Sequence, residues 1–315
     1  MSNMLPVAAD ADRCEAESCP TPAIEAYPAR IAELGSLKIR RLLPVRQRRV
    51  IGPWCFLDRY GPLSFVEGRP MDVAAHPHIG LQTVSWLLSG EIVHDDSLGS
   101  EALIRPGELS LMTAGRGITH TEQTPMKNTG TLNGVQLWVA LPDEARHAAP
   151  SYEHHVHLPQ AELPGGVATV ILGDLASQRS PGSAFSSTVG AEVQVHAGEA
   201  LTLPLHLLSE HAILLLDGDM AIERQPVELD TLYYLGTHRD ELELSSRTGA
   251  RALLVGGEPF QETILMWWNF VARTQEEIAA ARLAWEGHTV FPDVPAWSGG
   301  RIPAPAFVPR PVRSA

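Results

Sequence analysis

Two short runs, His76-Pro77-His78 and His120-Thr121-Glu122, carry residue types that bind transition metals, each as a pair separated by one residue. Side chains two apart on a β-strand leave the same face. Two such strands side by side would aim three imidazoles and one carboxylate at a single point. Three neutral nitrogens and one anionic oxygen suit a divalent first-row metal, with positions left over for substrate or water. Pro77 cannot donate to a sheet ladder, which places it at an edge, a bulge or a strand start. Two glycines in Thr113-Ala114-Gly115-Arg116-Gly117 let the backbone turn tightly just before the second pair.

Pairs of this kind need a β scaffold. Over residues 39–141 short apolar runs alternate with turn signals, among them Gly52-Pro53, Gly61-Pro62, Pro106-Gly107 and Asn133-Gly134. That spacing predicts a sandwich or barrel. A second β-rich stretch covers 167–270, with strands expected over 191–196, 211–216 and 252–255 and turns at Asp217-Gly218 and Gly256-Gly257. The organisation expected is a flexible leader over 1–35, a metal-binding β-domain over 36–148, a proline-punctuated linker over 149–165, a second β-domain without metal over 166–270, and a helix with a Pro-rich tail over 271–315. The helix is marked by Thr274 as its cap, Glu277 completing a capping box, Ile278, Ala281 and Trp285 on one face, and Gly287 at its end. Residues 292–311 read as an extended surface tail.

The 315 residues carry a net charge of −13, which sets the molecule as a whole against nucleic acid and anionic membranes. The basic clusters at Arg40-Arg41 and Arg46 to Arg49 read as solvated strand faces on an acidic protein. No apolar run reaches the roughly 18 residues of a membrane span. The first twenty residues hold Asp10, Asp12, Glu15 and Glu17 and no apolar block, unlike a secretory signal. Cys14, Cys19 and Cys55 are three in number, an odd and sparse set that fits a reducing, cytoplasmic setting without a disulfide framework.

Other polar residues have weaker claims. If the strand ran unbroken from His76, Gln82 would share the face of the histidines and orient a ligand or a water behind the metal. Gln136 and Trp138 alternate in an apolar run and could line the same cavity. His155 and His157 in Glu153-His154-His155-Val156-His157 also stand two apart, but in the expected linker no rigid strand fixes their geometry. His94, beside Asp95 and Asp96, reads as hydrogen-bonded surface. His196, His206, His211 and His238 lack partners at ligand spacing. No dinucleotide fingerprint, phosphate loop or nucleophile elbow is present.

These residues carry a family resemblance. The run His76-Pro77-His78-Ile79-Gly80-Leu81-Gln82-Thr83-Val84-Ser85 resembles the H-P-H-x-x-x-E-T-V-x-Y motif of pirins. The run from Met112 through Gly115-Arg116-Gly117 to His120-Thr121-Glu122 resembles their second motif, and Gln136-Leu137-Trp138-Val139 the strand after it. The resemblance implies an all-β bicupin: two β-barrel, jelly-roll-like domains with a short C-terminal helix and metal only in the first. It carries the ligand role onto His76, His78, His120 and Glu122. It further implies Fe(II) as the metal, with Mn, Co, Ni, Cu or Zn open, and quercetin 2,3-dioxygenase activity on a flavonol with O₂. In that case Glu122 is also the catalytic base. The family equally implies an alternative, a non-catalytic iron-bearing redox regulator that works through a protein partner. Two positions depart from the motif: Gln82 stands where pirins usually have Glu, and Ser85-Trp86 replaces the usual x-Tyr.

Overall fold

Residues 23–34 and 37–309 are described by a computed structural model. Alternation along single strands decides the architecture. In Thr188–Val195, Val189, Ala191, Val193 and Val195 enter one core. Gly190 and Glu192, between them, meet Trp54 and Trp86 on the other side. A strand that buries both faces belongs to a sheet sandwiched between two layers, and each domain is built around one such sheet.

In the N-terminal domain a seven-stranded sheet runs Ser151–His155, Leu109–Thr113, Leu81–Ser89, Thr131–Ala140, Trp54–Ser64, Leu37–Leu43 and Arg30–Leu34. A four-stranded sheet, Asp72–His78, Ile118–Gln123, Ile92–Asp96 and Glu101–Ile104, covers its inner face. Ile39, Tyr60, Leu87 and Leu132 of the first meet Val73, Ile92 and Ile104 of the second. The C-terminal domain repeats the plan. Its large sheet follows Glu25–Pro28, Thr231–Gly236, Glu210–Gly218, Ala250–Gly257, Thr188–Val195, Gly166–Leu175 and Gln160–Leu163, and Ala200–Pro204, Glu241–Ser245, Met220–Ile222 and Gln225–Val227 form the smaller one. The all-β, two-domain fold is as expected, but the sheets stay open as two-layer sandwiches and do not close into barrels.

The two large sheets pack back to back. Trp54, Val84, Trp86 and Leu137 of the first domain share one core with Leu172, Leu214 and Leu253 of the second. Trp54 donates its indole N–H to the carbonyls of Val189 and Gly256, each at 3.0 Å, and Trp86 donates to Glu192 at 2.8 Å. Cys55 is fully buried beside Trp54, and burial pushes its thiol up to about 12.

Several expectations change. Residues 1–22, with Cys14 and Cys19, lie outside the described residues. Of the expected leader, Glu25–Pro28 pairs with Thr231–Gly236 of the second domain and Arg30–Leu34 pairs with Leu37–Leu43. The expected linker is also largely strand: Ser151–His155 extends the first domain's sheet and Gln160–Leu163 the second's. The basic clusters are solvated only in part, with Arg46 exposed. Arg41 is buried and paired with Asp58 opposite it in register, and Arg48 reaches Glu210 across the interface. Gly256-Gly257 continues a strand rather than turning.

The helix Gln275–Glu286 starts at Thr274, whose side chain accepts from the Glu277 N–H, and buries Ile278 and Trp285. Gly287 caps its end as expected, its N–H donating to the Leu283 carbonyl at 2.9 Å, and His288 after it is left-handed, φ 53°. The tail beyond it is sewn to the first domain where the Ile302 N–H donates to the Ala75 carbonyl at 2.8 Å. Among the described residues no helix is long and apolar enough to cross a membrane.

Candidate metal centre

His76 and His78 lie on the edge strand of the four-stranded sheet, where Pro77 costs no ladder bond. Its neighbour Ile118–Gln123 runs antiparallel, with His120 opposite His76 and Ile118 opposite His78. The register slips between His120 and Glu122, so Glu122 falls opposite Val73. A bulge of this kind bends the strand and re-aims its side chains.

Three imidazoles therefore converge. His76, His78 and His120 are buried, and each offers a ring nitrogen within 4.8 Å of the others. Burial holds His76 at about 4 and pushes His78 and His120 well below the ordinary imidazole range, so all three are neutral and keep a lone pair. Two of the rings are oriented by backbone carbonyls: His76 Nδ1 lies 2.9 Å from the Ala74 oxygen and His78 Nδ1 3.0 Å from the Asn269 oxygen. A carbonyl only accepts, so Nδ1 carries the proton and Nε2 the lone pair.

The donor set fits a transition metal. His78 Nε2 and His120 Nε2 stand 3.1 Å apart. Two nitrogens bound at right angles about 2.1 Å from one ion would be about 3.0 Å apart. Glu122 lines the same cavity but does not join the 4.8 Å cluster. Its Oε1 accepts from Ser85 Oγ at 3.2 Å, and Ser85 Oγ also lies 2.9 Å from Gln136 Oε1. Burial raises the Glu122 carboxyl above its usual range, against the pull of His94, Ser85 and Gln136.

Gln136 lines the cavity, where the alternation of its strand placed it. Gln82 does not. Gly80, at φ 69°, ends the strand Asp72–His78, and the chain re-enters the other sheet with its parity reset. Gln82 consequently faces the second domain with Val84 and Trp86, donating to Thr113 Oγ1 and the Ser183 carbonyl. Ser85 occupies the cavity side that Gln82 was expected to hold.

Aromatic side chains make up much of the remaining wall. Phe56 and Trp138 stack at 4.1 Å, and Trp138 meets His78 edge-on at 5.2 Å. Tyr60 is buried with a hydroxyl that has no hydrogen-bond partner among the described residues. Trp268, Asn269 and Ile302 also line the cavity, whose volume is about 60 Å³. A larger cavity, about 830 Å³, lies in the second domain beside His206 and His211. Among the described residues those two histidines join no three-ligand cluster. Of the pair two apart, His155 bonds Glu153 and His157 is exposed, while His154 bonds Glu108.

Sequence reasoning passed over His94. It is buried, not surface, and sits on Ile92–Asp96 opposite Glu122, with Asp96 opposite His120. The signal was available, since His94 and Asp96 are also two apart.

The sequence model of Pirin matches residues 36–139, and that of the Pirin C-terminal cupin domain matches residues 190–290. A Pseudomonas aeruginosa protein named "Putative quercetin 2,3-dioxygenase" is 42% identical over 302 residues, 93% of this chain and 96% of its own. The crystal structure of quercetin 2,3-dioxygenase from Acinetobacter baumannii is likewise 42% identical and matches with a TM-score of 0.88, over 91% of this chain and 96% of that one. Pirin of Rattus norvegicus is 29% identical over 255 residues, 78% of this chain and 85% of its own. Matches in both halves and relatives of nearly full length meet on one conclusion: the chain belongs to the pirin family and has its bicupin fold.

Proposed function

We propose that this pirin is a metal-dependent dioxygenase that cleaves a flavonol such as quercetin with O₂, using His76, His78, His120 and Glu122 to hold one divalent transition metal, Fe(II) by family likeness. The observation that carries this reading is the convergence of three neutral, buried imidazoles beside a buried carboxylate, in a chain 42% identical to relatives named for quercetin 2,3-dioxygenase. When bound, such a metal supplies Lewis acidity toward a phenol oxygen and electron exchange with O₂. Glu122 takes the flavonol hydroxyl proton on Oε1 or Oε2, its basicity strengthened by burial. Ser85 and Gln136 steer that carboxylate. The Phe56–Trp138 stack gives a flat aromatic ring a matching wall, and the unpartnered Tyr60 hydroxyl bonds a polar atom of the substrate.

The cavity is small beside the roughly 300–1,000 Å³ of ordinary ligand pockets. A flavonol enters only when side chains that line it, Trp268 and Ile302 among them, give way. The same small volume favours a second reading, a non-catalytic redox regulator that carries iron and acts on a protein partner. Oxygen uptake with quercetin, measured on the iron-loaded protein, separates the two. Turnover on the order of once per second supports the enzyme. No uptake, together with capture of a partner that depends on oxidation state, supports the regulator. Glu122→Ala should abolish turnover, and unchanged turnover in that variant overturns its assignment as base.

A further inference from the structure

Each of three neighbouring strands puts a pair of polar side chains, two residues apart, on the face that looks toward the cavity: His76 with His78, His120 with Glu122, and His94 with Asp96. The third pair is not within the ligand cluster. It stands behind it. His94 Nδ1 lies 3.4 Å from His120 Nδ1, and His94 Nε2 lies 3.1 Å from Asp96 Oδ2. Tyr152 stacks on the His94 ring at 4.2 Å and 6°, and its hydroxyl meets Ser110 Oγ at 3.1 Å. His94 and Asp96 are 2% and 0% exposed, so no solvent competes for these bonds.

With both rings neutral, Asp96 sets the direction of every proton in this row. Asp96 Oδ1 already accepts the N–H groups of Leu98, at 2.8 Å, and Ser100, at 3.1 Å. A carboxylate offers lone pairs only, so the ring proton of His94 must sit on Nε2, facing Oδ2. Its Nδ1 is then bare and accepts. His120 must answer with Nδ1–H, which leaves the lone pair on Nε2, the atom that meets His78 Nε2. His76 and His78 receive the same instruction from backbone carbonyls, which no substitution removes. Among the described residues His120 receives it from side chains.

We infer that Asp96 and His94 are a positioning pair that fixes the tautomer of His120 and so presents its Nε2 lone pair to the metal. The inference rests on the metal-binding reading given above, and not on what the metal then does. Partners of this kind behind a ligating histidine typically change metal affinity 10–100-fold.

The test uses zinc, which is diamagnetic, with the full chain. Asp96→Asn keeps the shape and the acceptor for Leu98 and Ser100 but turns an amide donor toward His94. That reverses the row and leaves His120 with its proton on Nε2. We expect zinc affinity, measured by competition with a chelator, to fall about 10–100-fold in Asp96→Asn and in His94→Leu. His94→Gln, which can accept from His120 and donate to Asp96, should stay within a few-fold of the parent. Zinc bound as tightly by folded Asp96→Asn and His94→Leu as by the parent overturns the inference. Should those variants not fold, nitrogen NMR of the zinc-loaded parent decides: His120 protonated at Nδ1 and His94 at Nε2 supports it, and the reverse overturns it. A parent that takes up no zinc overturns it along with the metal reading. Intact zinc binding and tautomers without quercetin turnover remove the enzyme reading alone.

Discussion

His78 and Asn269 are 191 residues apart in the chain and 3.0 Å apart in space, ring Nδ1 to backbone oxygen. A histidine of the first domain's candidate metal site is thus aimed by the hairpin Leu265–Trp267 and Phe270–Ala272, which follows the second domain. The hairpin is held to the histidine strand where the Val271 N–H donates to the Ile79 carbonyl at 3.1 Å.

Gly80 is the point where that seam is most easily broken. It sits at φ 69°, and a Cβ there would run into the Val271 carbonyl oxygen. Gly80→Ala should cost more than about 2 kcal/mol of stability and push the hairpin off His78. Chemical denaturation and metal titration should both register the change, and a variant equal to the parent in both would refute the account.

The lining of the cavity gives a second expectation. Ile302 lines it and is anchored by its backbone to Ala75, so its side chain can be cut back without releasing the tail. Under the dioxygenase reading Ile302→Ala should raise kcat/KM for quercetin several-fold, mostly through KM, because the substrate has less to displace. An unchanged KM would put the entrance elsewhere.

Arg41 and Asp58 supply a third. They form a two-pronged pair at 2.7 and 2.6 Å, almost without solvent, and Arg41 also lies over the Phe56 ring at 4.6 Å. Removing one partner strands a buried charge, so Arg41→Met should cost about 3–5 kcal/mol. Arg41→Met combined with Asp58→Leu should recover much of the loss. Urea midpoints of the single and double variants check both statements.

The stability of the second domain should depend on acid through His211. Burial is the main reason that its imidazole is pulled from 6.5 down to about 4, with His206 nearby adding to it. The unfolded chain therefore takes the proton first. The contribution of neutral His211 is whole above about pH 6.5 and is lost as the pH falls toward about 4, amounting to about 2 kcal/mol at pH 5. Melting curves at pH 7.5 and 5 should show a smaller drop for His211→Gln than for the parent. Equal drops would mean that other groups carry the acid sensitivity.

Much of this molecule could be read in advance, and the failures share a cause. Period-two patterns in runs such as Val135–Ala140 announce strands and their faces, so the two β-domains and the cavity position of Gln136 were legible. The convergence of His76, His78 and His120 could be anticipated from spacing alone. Spacing stops at a strand break. Gln82 was assigned to the wrong face because Gly80 ends one strand and the next joins a different sheet. The expected linker looked irregular because its prolines flank Ser151–His155, which nevertheless finds an open edge at Leu109–Thr113. Arg41 looked solvated because a sequence does not announce that Asp58 will lie opposite it. The acidic, turn-like residues around His94 read as surface, although one of them, Asp96, is what holds the ring in place.

Cys55 bears on how any response to oxidants is to be interpreted. It is the free cysteine of the described residues, fully buried in a core with Leu81, Met112 and Trp138, its thiol pushed up to about 12. Sulfenic acid formation and alkylation both need an accessible thiolate, which this side chain does not offer. If peroxide alters this protein at residues 23–34 or 37–309, sulfur at Cys55 is the wrong place to look, and blocking reagents for thiols make a clean control for chemistry at the histidine cluster.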